Sequence, residues 1–199
     1  LAPAAYRRPG CSMTGSTLPD GAFDIVLADP PWRFKTHSDK GRSRSPDGPL
    51  GHYQTMRTED IAALPVRTLS SRDAVLYMWV TVPFLEIALG VANDWGFAYK
   101  SSMVWIKERK ATGYWARNRH EIILICKRGR FPAPAPSLRP DSVIQGQQRG
   151  HSHKPDALHE IIEAAWPDAN KVELFARRHR PGWETWGNQL PQLGSGIHE

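Results

Sequence analysis

Short apolar runs alternate with helix-spaced segments along this chain, and that alternation limits its folds more than any other feature. Phe23-Asp-Ile-Val-Leu-Ala28 is rich in β-formers and stops at an acid and a proline pair, which predicts a buried strand. Ala74-Val-Leu-Tyr-Met-Trp-Val80 predicts a second, Tyr99–Lys107 and His120–Lys127 two more, and Lys171-Val-Glu-Leu-Phe175 a last strong one. Thr58–Leu64 opens on a threonine N-cap with acids in the first turn, so a short helix is expected. Pro83–Trp95 starts on proline and sets Phe84, Ile87, Ala88, Val91 and Trp95 at helical spacing. Pro155–Trp166 puts Leu158, Ile161, Ile162 and Ala165 on one helix face. The expected fold is therefore α/β with a mostly parallel central sheet, which binds ligands beyond the carboxyl ends of its strands. Residues 36–51, with Gly41, Pro46, Gly48 and Pro49, read as a mobile loop. Residues 128–140, with Gly129 and four prolines, read as an extended connector too short to divide the chain. One domain over residues 1–199 is expected.

A chain of 199 residues can enclose a real core. No apolar run approaches the roughly 18–20 residues of a membrane span, and Leu1–Gly10 lacks the apolar centre of a secretory signal. Cys11 and Cys126, the only cysteines, offer no disulfide framework, so a reducing cytoplasm is expected. His151, His153 and His159 invite a zinc reading, but His159 lies too far along a helix and cysteines are absent, so no metal is expected. The net charge of +6 is clustered: nine Lys or Arg against two acids between Lys100 and Arg130, and five against two from Arg33 to Gly51. Such clusters suit a polyanion, through counterion release, or simply a solvated basic surface.

The chemistry centres on Asp29-Pro-Pro-Trp32, directly after the first strand and so at the carboxyl edge of the sheet. There the Asp29 carboxylate can accept one N–H of an adenine amino group and the Pro30 carbonyl the other. Two acceptors turn the nitrogen lone pair out of conjugation and toward a methyl donor. Pro30 and Pro31 stiffen the loop, and Trp32 offers a π-face to the base. The plainer alternative is a turn after a strand with a buried tryptophan. Tyr114 and Trp115 could stack on a base and Arg117 and Arg119 hold phosphates; a basic hairpin packed on its own aromatics is the alternative. His120 and Glu121 could simply order that loop.

Four motifs in order carry a family resemblance. Asp29-Pro-Pro-Trp32 resembles the catalytic motif of amino-methyltransferases. Ser152-His-Lys-Pro-Asp156, Lys171-Val-Glu-Leu-Phe-Ala-Arg177 and Trp183 with Trp186-Gly-Asn-Gln-Leu190 resemble segments of the MT-A70 family of N6-adenine methyltransferases. The resemblance runs from about Phe23 to Leu190 and implies a Rossmann-like methyltransferase fold in permuted, β-type motif order. It implies S-adenosylmethionine as cofactor. Lys154 would meet its carboxylate; Phe175, Arg177 and His179 would line its ribose and methionine region; Asn188 and Gln189 would hold its adenosine end. Asp29 would touch both cofactor and target amine. Tyr53 is placed as the family tyrosine beside the substrate. Ala176 departs from a family glycine, bringing a methyl where backbone could approach the ligand.

The reading is an N6-adenine methyltransferase of nucleic acid, DNA favoured over RNA. A catalytically silent nucleic-acid-binding relative supporting a partner subunit is the alternative, and silent relatives typically lose the aspartate or aromatic kept here. An N4-cytosine enzyme would commonly carry Ser-Pro-Pro-Tyr instead. The lack of a separate target-recognition domain points to a single-stranded or loosely specified substrate, or to a homodimer or partner subunit.

Overall fold

A computed structural model describes residues 17–33, 55–108, 110, 115–145 and 154–191. Among these residues seven strands form one sheet: β1 (Phe23–Ala28), β2 (Ser70–Val80), β3 (Ala98–Ile106), β4 (His120–Arg128), β5 (Val143–Gln145), β6 (Lys171–Leu174) and β7 (Glu184–Trp186), in the order β5-β3-β4-β2-β1-β6-β7. Helices α1 (Thr58–Ala62), α2 (Val66–Leu69), α3 (Leu85–Asp94) and α4 (Ala157–Ala165) connect them. β4 is antiparallel to both of its neighbours, while the remaining pairings are parallel. Six strands therefore run one way, and the mostly parallel α/β expectation is met.

Successive side chains of a strand face opposite sides, so β1 feeds two cores. Val26 and Ala28 join Leu76, Met78, Leu174 and the helix residues Ile61, Val66 and Val91 on one face. Ile25 and Leu27 join Tyr77, Trp79, Trp105, Leu158 and Ile162 on the other. Burial on both faces explains why β1 and β2 read as continuous apolar runs rather than alternating ones.

The proline-started helix divides into a 3₁₀ turn, Val82–Phe84, and α3. Inside α3 the expected apolar stripe is partly exposed, with Ile87 at the surface and Ala88 and Val91 buried. α4 buries Leu158, His159 and Ile162. The connector 128–140 carries a short 3₁₀ turn, Pro136–Leu138, and leads to β5. β5 and β7 escape the sequence reading because three residues are too few to show a period of two. Residues 36–51 lie outside the described residues. Among the described residues no helix is long and apolar enough to cross a membrane.

Candidate active site

β1 and β6 run side by side, and Asp29 follows β1 at their shared carboxyl edge, its N–H 3.4 Å from the Leu174 carbonyl. The two prolines have no N–H to give, but their carbonyls are used. The Trp32 N–H donates to Pro30 O and the Met56 N–H to Pro31 O, both at 2.9 Å. One lone pair of the Pro30 carbonyl is thereby occupied and the second remains. Trp32 departs from expectation. It is 4% exposed and stacks on Phe84 at 5.5 Å and 19°, so it walls the core instead of presenting an open π-face. Burying a large indole against another ring is worth more than leaving it wet. Its Nε1 is buried with no hydrogen-bond partner among the described residues.

The Asp29 carboxylate meets Lys154, which stands just before α4. Nζ of Lys154 donates to both carboxylate oxygens at 2.8 Å. The same ammonium is 3.3 Å from Oε2 of Glu121 and 5.5 Å above the Trp79 ring. Glu121 in turn pairs with Lys107, which lies 5.3 Å over Trp105. Charges therefore alternate along Asp29, Lys154, Glu121 and Lys107. Burial raises the Asp29 pKa above the usual carboxylate range, against the opposing pull of Lys154. Burial also works on Glu121, but the ammoniums of Lys154 and Lys107 overcome it and hold that carboxyl low. For Lys154, the two carboxylates outweigh desolvation and raise its pKa, so it stays cationic. Lys154, expected to meet a ligand carboxylate, lines the cleft while held by two protein carboxylates.

Past β6 the backbone of Phe175 turns to φ 63°, the only positive φ at a non-glycine among the described residues. Such a conformation costs of order 1–3 kcal/mol and marks a position held by its surroundings. The turn lays Phe175 edge-on to Trp186, ring centroids 5.5 Å apart. The Ala176 N–H donates to Trp186 O at 2.9 Å. A Cβ on Gly187 would overlap the Ala176 carbonyl oxygen and lie 2.8 Å from its nitrogen. The close backbone approach at Ala176 is therefore taken up by Gly187, and the Ala176 methyl is buried.

Asp29, Lys154, Phe175 and Arg177 line one cleft with Trp79, His159, Glu173 and Arg178. The structure does not bring His179, Asn188 or Gln189 to this cleft. The His179 ring hydrogen-bonds Thr185 Oγ1 at 2.9 Å and the Pro191 carbonyl at 3.2 Å. Asn188 and Gln189 are exposed beyond β7, where Trp186 takes the inward position. Two arginines that follow Arg177 are engaged by acids: Arg178 pairs with Asp156, and Arg180 grips Glu163 at 2.6 and 2.9 Å. The Arg180 hydrogen bonds hold Glu163 down to about 2, and Trp183 Nε1 donates to the same carboxylate.

Sequence reasoning missed Glu121, Trp79, Glu173 and His159 as site residues. The signal for Glu121 and Glu173 was an acid where burial would be costly: one among cations, one inside an apolar strand. His159 is committed to Glu173 at 2.9 Å and stands edge-on to Trp183; His151 and His153 lie outside the described residues.

The loop from β3 to β4 leaves the same carboxyl edge as Asp29. β1, β2 and β4 are neighbours, so the loop's end is two strand spacings, about 10 Å, from β1. Trp115 is 99% exposed, so it does not pack as part of a self-contained hairpin. Arg117 and Arg119 are exposed beside it, Arg119 reaching the Lys107 carbonyl at 3.4 Å. Tyr53 and Tyr114 lie outside the described residues.

Comparison with known proteins bears on this geometry. The family model described as MT-A70 matches residues 23–189. The chain is similar to the Type II methyltransferase M.MunI of Mycoplasma sp: 29% identical, covering 87% of this chain and 80% of that protein. It is also similar to the N(6)-adenosine-methyltransferase MT-A70-like protein of Drosophila melanogaster, 32% identical over 85% of this chain. The N(6)-adenosine-methyltransferase catalytic subunit METTL3 of Homo sapiens is 31% identical over 89% of it. The chain spans 27% and 29% of those two proteins.

Proposed function

The chain belongs to the MT-A70 family, and on that premise we propose that it moves a methyl group from S-adenosylmethionine to the N6 amine of adenine in nucleic acid. The observation that carries the reading is the Asp29 carboxylate at the carboxyl edge of β1, held between Lys154 and a cleft of mixed charge. That cleft fits the cofactor's chemistry. Asp29 and Glu173 suit an ammonium and ribose hydroxyls, Lys154 and Arg177 suit a carboxylate, and Phe175 is an apolar wall. When bound, S-adenosylmethionine supplies an electrophilic methyl group.

This chain's residues do the positioning. Asp29 accepts one N–H of the target amine and the free lone pair of the Pro30 carbonyl accepts the other. Lys154 holds the Asp29 carboxylate in place through both oxygens, and Glu121 holds Lys154. Alignment of this kind is worth up to ~7–11 kcal/mol of a barrier. Because a proton on Asp29 removes an acceptor, the ionised form is the working one.

Trp115, Arg117 and Arg119 supply the reading of a nucleic-acid strand beside the site, single-stranded or loosely specified. We favour DNA over RNA, and methyl transfer to each substrate decides between them. A homodimer or partner subunit would extend that contact surface, and a reducing cytoplasm suits the sparse cysteines.

The test is tritiated methyl transfer to single-stranded DNA, duplex DNA and RNA, with nucleoside digestion to identify the base. Asp29→Asn keeps the shape but offers a donor where an acceptor is needed, so a folded, cofactor-binding but inactive variant is expected, with the loss in kcat. Wild-type turnover by that variant would end the mechanism. A wild-type chain that binds cofactor and methylates none of the substrates would favour the silent partner instead.

A further inference from the structure

A second cavity, of about 640 Å³, opens on the α4 face of the sheet away from Asp29. Val75 and Lys127 line it, and these pair with each other at the amino-terminal end of the sheet, where Val75 also meets Ile25 early in β1. Its size lies within the range of small-molecule sites. Its floor is aromatic: Phe131 and Trp166 stand 5.3 Å apart, and Trp166 and Tyr77 6.4 Å. Tyr77 is 3% exposed and lines the cavity with its phenol ring. Among the described residues, three cations, Lys100, Lys127 and Arg139, complete the lining, and no acid does.

We infer that this cavity is a nucleotide site, taking an aromatic base against Phe131 and Trp166 and its phosphate on Lys100, Lys127 and Arg139. Each simpler ligand leaves something unmatched. An acyl chain would leave the cluster of cations unmatched. Inorganic phosphate would leave the aromatic floor uncovered. A base with ring nitrogens and a phosphate answers all three features, by stacking, by one hydrogen bond to the phenol and by charge. The nucleotide can be free or part of a strand that continues round the sheet from the carboxyl edge. The site shares no lining residue with the Asp29 cleft and stands whether or not the methyl-transfer reading does.

The experiment is isothermal titration of the full chain, saturated with S-adenosylhomocysteine, with adenosine monophosphate, adenosine and a short single-stranded oligonucleotide. The monophosphate is expected to bind at least about tenfold more tightly than adenosine, the scale of a charge-assisted contact. Lys100→Ala with Lys127→Ala should weaken it by a similar factor, and Tyr77→Phe severalfold, with circular dichroism unchanged. If only the oligonucleotide binds, yet with the same sensitivity to both variants, the site stands and the strand is its source. Binding of the monophosphate only when S-adenosylhomocysteine is omitted would overturn the inference. So would a loss confined to the lysine pair, which is surface charge, or affinities that ignore both variants.

Discussion

Gly187→Ala isolates how the β6 and β7 ends are held together. A methyl at this position would overlap the Ala176 carbonyl oxygen and sit 2.8 and 3.0 Å from its nitrogen and carbonyl carbon. These are backbone atoms, so relief requires one strand end to move. Moving it breaks the Ala176 N–H to Trp186 O bond of 2.9 Å, worth about 0.5–1.5 kcal/mol net. Overpacking of this kind adds about 1–3 kcal/mol. The expected loss is about 2–4 kcal/mol, or a fall in Tm of roughly 4–16 °C for a domain of this size. Cofactor binding should weaken too, because Phe175, edge-on to Trp186, lines the cleft. Gly90→Ala is the control. Gly90 lies inside α3 with nothing within 4 Å of an added Cβ, so alanine there should stabilise by about 0.5–1 kcal/mol. Differential scanning calorimetry of the two variants decides the matter. A Gly187→Ala protein that melts with the wild type would refute the close approach and the reason given for the buried Ala176.

Lys154→Ala should weaken S-adenosylmethionine by the ~1.5–3 kcal/mol of a charge-assisted contact, read by isothermal titration. It should also destabilise the fold by about 3–5 kcal/mol in urea, because Asp29 would be left buried and unpaired while Glu121 keeps only Lys107. The acid limb of kcat should lie above the ordinary carboxylate range, since burial raises the Asp29 pKa and only the ionised form works. Removing the opposing ammonium with Lys154→Met should move that limb further up in a pH–rate profile at saturating cofactor; a downward shift would contradict the assignment. Replacing Arg117 and Arg119 together should flatten the salt dependence of nucleic-acid binding by about two units, one per phosphate contact. Trp115→Ala should instead cost about 1–3 kcal/mol of binding with little change in slope, by fluorescence anisotropy.

Most of the sheet was legible in the sequence because its strands are buried on both faces, which forces runs such as Ile25–Ala28 and Val75–Val80 to be continuously apolar. The position of Asp29 followed from the same cause: a polar residue and two prolines must end such a run, and in a parallel sheet that end is where ligands sit. Lys154, Phe175 and Arg177 were found through motif resemblance, and the fold gathers them with Asp29 around one cleft. What the sequence could not show is which charges meet. Lys154 and Asp29 are 125 residues apart, and their pairing, with Glu121 as the third member, depends on β4 inserting antiparallel beside β2. The sequence likewise presents Trp32 as a free ring, and only the packing of Phe84 against it decides that the ring is buried. His179, Asn188 and Gln189 follow β6 in sequence as closely as a ligand shell should, yet the turn at Phe175 and the inward Trp186 leave them outside the cleft. Local pattern fixes which residues must be buried or must end an element. Which ionic partner, which ring face and which side of a turn each one receives is a competition among distant residues, settled only when the chain is folded.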